Sequence, residues 1–534
     1  MEILFYLISC LLLFTNHNDL HCSGQTTQKL EYPYPFMTVD VEKAAARTYD
    51  YIVVGGGTAG CPLAATLSQH YSVLLVERGD SPYGNPDTAD IKGVFKVLGD
   101  PTDFPYVMQG FVSDEGVQLV RGRVLGGGTA INAGFYSRAS SEFIREMEWD
   151  EKLVNESYEW VEKLMAFKPD KLFRWNSAVK DALLEAGVLP YNGYTLDHLE
   201  GTKFSASTID NEGRRHTAAD LLQYANPDNI VVLLNATASK ILFDSSSGIL
   251  KAIGVELISS VDDLIYQVYI NQLSHWSEII LSAGSIGSPQ LLLLSGIGPS
   301  EQLDELNITI LLDINSIGKR IQDPPRQTVI LESPEPLEFE QAQVAGILDN
   351  SQVYIEALSL FQQQNSIDNQ YLGAFVSKVA FPLSRGELRL TSKNPQDNPF
   401  VRYNYFSHTF DVQECILVVK LLSNLTMATS IREFTFNGTL RFIGSKLPQN
   451  NLDNNALEKF CKDTVSTFWH YHGGCEVNYV VDKMFHVKGV DNLRVVDSSI
   501  FKDSPGTNPQ ATIMMLGRFA GVRILQERMN ICEY

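Results

Sequence analysis

Tyr51-Ile52-Val53-Val54-Gly55-Gly56-Gly57-Thr58-Ala59-Gly60 is the stretch on which the fold turns. Four apolar residues rich in β-branching read as a buried strand, and they run straight into the pattern G-x-G-x-x-G. Cys61 to Leu67 follows as the start of an Ala- and Leu-rich helix, and Ser72 to Val76 as a second strand ending at Glu77. Glycines at Gly55, Gly57 and Gly60 permit a tight turn and a close approach of backbone N–H groups to a pyrophosphate at the helix N-terminus. Glu77 lies 22 residues beyond Gly55, where a carboxylate can accept hydrogen bonds from an adenosine ribose. One short βαβ unit therefore predicts an α/β fold that binds a dinucleotide. It does not separate FAD from NAD.

Two further glycine-rich segments bear on that choice. The first is Gly122-Arg-Val-Leu-Gly-Gly-Gly-Thr-Ala-Ile-Asn132-Ala-Gly134. The second is Gly284-Ser-Ile-Gly-Ser-Pro-Gln-Leu-Leu-Leu-Leu-Ser-Gly-Ile-Gly298, a turn, a short apolar helix from about Pro289 to Leu294, and a glycine stop. The first reads as a second loop able to approach a flat or phosphorylated ligand. Physics alone names no ligand for either. Both segments resemble the two signature patterns of the glucose-methanol-choline (GMC) family of FAD-dependent oxidoreductases. The resemblance runs from about Asp50 to about Arg528. Arg121-Gly-Arg-Val-Leu-Gly-Gly and Trp469-His-Tyr-His-Gly-Gly-Cys475 are similar to the plant branch that contains mandelonitrile lyases and alcohol-oxidising enzymes.

The resemblance implies FAD as cofactor. It carries cofactor contacts onto Gly55, Gly57, Thr58, Ala59, Gly60, Glu77, Arg78, Val124, Gly128, Asn132, Ala133, Gly134 and Phe135. It adds Ala238 beside the adenine, and Trp469, Asp497, Ser498, Pro509 and Gln510 at the C-terminal end. Plant lyases of this kind often carry Thr where Gly128 stands, and neighbouring Thr129 is the expected replacement for that hydroxyl. Residues 128–130 read Gly-Thr-Ala, without the His of covalently flavinylated relatives, so the flavin is expected to be non-covalent. The same resemblance pairs Cys415 with Cys461 in a disulfide.

Chemistry is expected in the C-terminal region. His470 and His472 are one residue apart, so in a strand both would face one side. That spacing also suits a metal, but a third ligand is lacking nearby, with Asp482 and His486 the remote candidates, and no metal site is expected. The resemblance selects His470 as the active-site base, makes His472 structural, and places Asn508 as its partner, a position that is His or Asn in GMC enzymes. Mandelonitrile lyases of this branch resemble Ser-His-Pro-Gln there, whereas this chain reads Thr507-Asn-Pro-Gln510. A His pair can share the base and cation roles of cyanohydrin cleavage; Asn carries no proton. An alcohol oxidised to an aldehyde or ketone is therefore the first reading, (R)-hydroxynitrile lyase the second, and an inactive flavin-binding glycoprotein the third.

Glycine-rich elements recur early, in the middle and late, so one Rossmann-like FAD domain must be assembled from separated segments. The expected bounds are 48–145, 200–315 and 462–534. Segments 146–199 and 316–461 would form an α+β substrate domain with an antiparallel sheet, as the resemblance implies. Gln322-Asp-Pro-Pro-Arg326 departs from relatives with a single Pro, and Pro324 restricts Asp323. Gln362-Gln-Gln-Gln-Asn365 is expected in a surface loop.

The chain has 534 residues with 42 Lys+Arg against 63 Asp+Glu, a net charge of −21, which disfavours nucleic-acid partners. A small-molecule alcohol or cyanohydrin is the expected partner, and a monomer the expected state. Ile3 to Phe14 is apolar and His21-Cys22-Ser23-Gly24 polar or small, so residues 1–23 read as a secretory signal peptide, although its first residues lack Lys or Arg. No later run is long and apolar enough for a transmembrane anchor. Secretion would expose the sequons at Asn155, Asn235, Asn307, Asn424 and Asn437 to glycosylation. It would also leave five cysteines, an odd number.

Overall fold

The computed structural model describes residues 32–99, 104–339, 341–348, 350, 352–363 and 369–531. The expected signal peptide and Cys532 lie outside the described residues. Tyr51–Val54 is a strand with all four residues buried, and it sits inside a six-stranded parallel sheet. Across that sheet the strands run Met37–Thr38, Ile230–Leu233, Val73–Val76, Tyr51–Val54, Glu278–Leu281 and Leu493–Val495. The chain moves outward on one side through Val73–Val76 and on the other through Glu278–Leu281. The carboxyl end of Tyr51–Val54 is thus a topological switch point, where open α/β sheets bind ligands. Being buried on both faces, these strands read as continuous Val/Ile/Leu runs rather than alternating ones.

Helices Gly60–Leu67 and Gln510–Ile531 cover one face. They approach closely because Gly517 carries no Cβ: one built there would lie 2.2 Å from the Ala59 carbonyl oxygen. Helix Glu151–Met165 packs with them through Val154, Tyr158, Val161 and Met165, and the Tyr158 hydroxyl lies 3.1 Å from Thr512 Oγ1.

A second, eight-stranded sheet forms the other layer. Arg441–Ile443, Pro325–Ser333, Asn369–Val379, Val353–Gln363, Val344–Leu348, Gly201–Phe204 and Tyr191–Tyr194 follow in order, with Ser466–Thr467 pairing on Pro325–Ser333. All its pairings are antiparallel except Tyr191–Tyr194 with Gly201–Phe204. Side chains alternate across it. Val329, Leu331, Ile355, Ala357 and Phe375 face helices Arg174–Glu185 and Thr409–Met427 in an apolar cluster around Trp175. Thr328, Ile330, Glu356, Leu358, Ala374 and Val376 face the other way, into a cavity.

The packing moves several expected bounds. Met37–Thr38 joins the parallel sheet ahead of residue 48. Glu151–Met165 belongs to the nucleotide layer because its apolar stripe finds that core, whereas Gly201–Phe204 hydrogen-bonds into the eight-stranded sheet. Leu388, Val401 and Tyr403 also pack into the nucleotide core. Gln362 and Gln363 are not in a loop; they continue a strand by pairing with Gln370 and Asn369.

Cys415 and Cys461 form a disulfide joining helices Thr409–Met427 and Asn454–Asp463. Cys61 and Cys475 are buried free thiols. Asn155, Asn307, Asn424 and Asn437 are exposed and Asn235 half-buried. Among the described residues no helix is long and apolar enough to cross a membrane, and no group of side chains is arranged to hold a metal ion.

Candidate active site

Between the two layers runs a cavity of about 1530 Å³. Pockets for one drug-sized molecule are about 300–1,000 Å³, so this one has room for a dinucleotide and a substrate together.

At the nucleotide end, Gly55 has φ +108°, and a Cβ there would stand 2.4 Å from the Ser282 carbonyl oxygen. A Cβ on Gly60 would strike the Gly55 carbonyl oxygen at 1.9 Å, so Gly60 serves helix–strand packing and does not line the cavity. The two glycine loops touch each other: Gly126 N–H donates to the Gly56 carbonyl at 2.7 Å. Gly57, Thr58 and Ala59 line the cavity at the N-terminus of helix Gly60–Leu67, the ordinary seat of a phosphate. Glu77 is buried and accepts from the N–H groups of Gly56 and Gly79 at 3.0 and 2.8 Å. Burial pushes its carboxyl above the usual range while those bonds oppose the shift. Arg78 and Ala238 line the same end.

Further in, Asn132 is locked from several sides. Its Oδ1 accepts from Gly134 N–H at 2.9 Å, its Nδ2 donates to Gln510 Oε1 at 2.9 Å, and Gln510 Nε2 donates to the Phe135 carbonyl at 2.7 Å. Arg215 donates to the Asn132 carbonyl at 2.6 Å, a support with no local sequence signal. Gly128, Ala133, Gly134, Phe135, Asp497, Ser498, Pro509 and Gln510 all line the cavity. Asp497 accepts from Gly284 N–H and the Ser288 hydroxyl, tying the second glycine segment to the C-terminal loop. Val124 does not reach the cavity; it is buried in an apolar cluster with Val107 and Ile131. Thr129 does not replace the hydroxyl missing at Gly128 either. It is fully buried, donates to the Gly126 carbonyl at 2.6 Å and accepts from Ala218 N–H. A Cβ built at Gly128 would lie 4.0 Å from the Thr58 hydroxyl.

His470 and Asn508 both line the cavity, from a loop and from the segment leading into the C-terminal helix. His470 and His472 do not share a strand. Trp469 has φ +59°, which breaks any extended run, and the two histidines diverge. His472 is buried, with Nε2 2.8 Å from Gln322 Oε1 and Nδ1 3.1 Å from the His470 carbonyl, so it holds the loop. His470 faces the cavity. Its backbone N–H donates to Asp323 Oδ1 at 3.1 Å, and its ring Nδ1 lies 3.2 Å from Lys378 Nζ. Among the described residues Nε2 has no hydrogen-bond partner. Burial, with Lys378, His472 and Arg326 nearby, holds this imidazole well below its ordinary pKa and therefore neutral.

Asn508 Oδ1 lies 2.9 Å from the Tyr354 hydroxyl, which is also 2.7 Å from Glu356 Oε1, and the Asn508 side chain hydrogen-bonds to Glu356. Burial raises the Glu356 carboxyl and lowers the Lys378 ammonium. Asp323, in the double-proline segment, is pushed up to about 6 by burial although Tyr405 donates to it at 2.6 Å. Lys378, Glu356 and Tyr354 are absent from the sequence reading. Their one signal was a Lys inside the apolar run Ala374-Phe-Val-Ser-Lys-Val-Ala380, because lysines are almost never buried unless paired.

Among the described residues, three buried donors lining this cavity lack a protein partner: Arg121 Nη2, Trp469 Nε1 and Thr328 Oγ1. Together with the glycine cradle they fit a bound FAD.

Residues 49–326 match the N-terminal part, and residues 382–517 the C-terminal part, of the family described as GMC oxidoreductase. The chain is similar to Sinalpyl alcohol oxidase Nec3 of Nesocodon mauritianus, at 44% identity over 90% of this chain and 89% of that protein. It is similar to (R)-mandelonitrile lyase 3 of Prunus serotina, at 41% over 90% and 86%. Among solved structures a formate oxidase from Aspergillus oryzae superposes with a TM-score of 0.76, covering 90% of this chain and 99% of that one at 18% identity, a likeness of fold.

Proposed function

Because this chain belongs to the GMC oxidoreductases, FAD-binding proteins with a Rossmann-like domain and a substrate domain, we propose that it oxidises an alcohol to an aldehyde or ketone. The observation that carries this reading is the pairing of one neutral histidine, its Nε2 turned to the cavity, with an asparagine. Bound FAD would supply the acceptor for the hydride. His470 Nε2 would accept the hydroxyl proton. Asn508, with one amide N–H engaged by Glu356, would offer the other to the substrate oxygen, and this group undergoes no change of charge. Phe468, Leu358, Leu372, Ala374 and Val376 supply an apolar wall that keeps water from the reacting carbon.

Cyanohydrin cleavage is the second reading. Lys378 and Arg326 place positive charge beside His470, which suits a departing anion, and the lyase at 41% identity supports it. Secretion is part of the proposal. The apolar Ile3–Phe14 run, the disulfide and four exposed sequons support it. Non-covalent FAD is likewise proposed, since residues 128–130 hold no histidine.

Anaerobic mixing with aromatic, terpenoid and fatty alcohols tests the choice. Flavin bleaching is expected. Unbleached flavin with aldehyde and cyanide released from mandelonitrile would establish the lyase instead. Under the oxidation reading, Asn508→His should rebuild a lyase-like pair and raise cyanide release; a native enzyme that already cleaves mandelonitrile fast, unchanged by this substitution, refutes that reading.

A further inference from the structure

A base must present a lone pair, and a neutral imidazole has only one. His470 Nδ1 faces Lys378 Nζ at 3.2 Å, so the state of this amine decides which nitrogen carries the imidazole proton. As an ammonium, Lys378 can only donate: Nδ1 must accept, Nε2 carries hydrogen, and the nitrogen facing the cavity cannot take a proton. As a neutral amine, Lys378 accepts from Nδ1–H, and Nε2 is left bare. Lys378 still donates to the Thr507 carbonyl at 2.9 Å, which fixes the amine in place in either state.

We infer that Lys378 is a positioning residue for His470: as a neutral amine it holds the tautomer in which Nε2 can take the alcohol proton, and as an ammonium it switches the base off. The inference rests on the oxidation reading. The proton balance closes within the pair. The substrate O–H bond breaks as Nε2–H forms, the Nδ1 proton passes to Nζ, and His470 ends neutral while Lys378 ends charged. The carbinol hydride goes to the FAD that this reading names.

The surroundings favour such a switch. Lys378 is fully buried, its Nζ lies 4.9 Å from the Tyr354 ring centroid and 5.2 Å from that of Phe468, and no carboxylate reaches it within an ion-pair distance among the described residues. Burial favours the neutral amine. Glu356 on the neighbouring strand and Asp323 ahead of Pro325–Ser333 oppose that and keep its titration within the physiological range. Arg326 and His472 also act on His470 electrostatically, and His198 senses Lys378 from beside Tyr354.

The test uses FAD-loaded, ¹⁵N-histidine-labelled protein without substrate, with the His470 resonances identified by their loss in His470→Gln. Across pH 6–9 the protonated nitrogen of His470 should move from Nε2 to Nδ1, and Lys378→Met should abolish that change. One tautomer throughout overturns the proposal whatever the variants do. Anaerobic flavin reduction by an alcohol then reads the consequence. Lys378→Arg, a permanent cation, should slow it about 10²-fold or more at pH 8. Lys378→Met should be less impaired and lose the acid limb of the pH profile. An arginine variant with the native rate and limb contradicts the inference. If no alcohol bleaches the flavin, the oxidation reading fails, and the tautomer measurement still decides the role of Lys378.

Discussion

At His470 the chemistry depends on a ring with protein on one nitrogen and open cavity on the other. Removing the ring leaves the cofactor end of the cavity intact, since none of the hydrogen bonds around Glu77 or Asn132 passes through it. His470→Ala should therefore keep FAD bound and slow flavin reduction by roughly 10²–10⁴-fold, the usual worth of a general base. Stopped-flow bleaching together with the bound-flavin spectrum checks both halves, and full activity in this variant would show that His470 is not the base. His472 makes a useful contrast. Replacing it frees Gln322 and loosens the loop, so heat resistance should fall along with activity. A residue's role here follows from where its second nitrogen points, which neighbours in sequence do not fix.

Among the elements, the two helices joined by Cys415 and Cys461 form a satellite of the substrate layer. Val379, Phe406, Val419, Leu457 and Phe460 complete its small apolar cluster. The disulfide closes a connection with a sequence separation of 46 and removes part of its chain entropy from the unfolded state. Cys415→Ser should cost about 2–4 kcal/mol, read as a lower melting temperature under non-reducing conditions, while the flavin spectrum stays native. An unchanged melting temperature would show that the cluster suffices alone. The Glu151–Met165 helix teaches the converse lesson. Its sequence position assigned it to the substrate side, but Val154, Tyr158, Val161 and Met165 make one apolar stripe, and a stripe goes to the core that can bury it.

At the scale of the whole molecule, distant segments are held by charge as well as by packing. Glu278, on the strand beside the edge of the parallel sheet, accepts from Arg494, which also bonds to Glu527 of the C-terminal helix. His486 lies 3.1 Å from Asp482 and 3.6 Å from Glu278. Burial works against its charge, but the two carboxylates win and lift its pKa to about 9. A raised folded-state pKa contributes stability that is complete below the unfolded value of about 6.5 and is lost as pH climbs through about 9. The melting-temperature gap between the native protein and His486→Gln should be widest near pH 6 and close by pH 10; a gap independent of pH contradicts the assignment. The nucleotide half of the molecule was legible in the chain because its demands are local. Strand, Gly55, Gly57, Gly60, helix and Glu77 lie in one short unit, and at Gly55 and Gly60 a Cβ would strike neighbouring backbone. The disulfide, His470 and Asn508 came from resemblance, and the structure gathers the last two in one cavity. What the chain could not show was Lys378, Glu356 and Tyr354. They meet because Tyr354 pairs with Lys378 and Glu356 with Val376 across two strands, a register set by which face of the sheet buries its apolar residues. Local spacing determines a turn and a phosphate seat, whereas the protonation state of a buried base is decided by groups that only the tertiary register brings within reach.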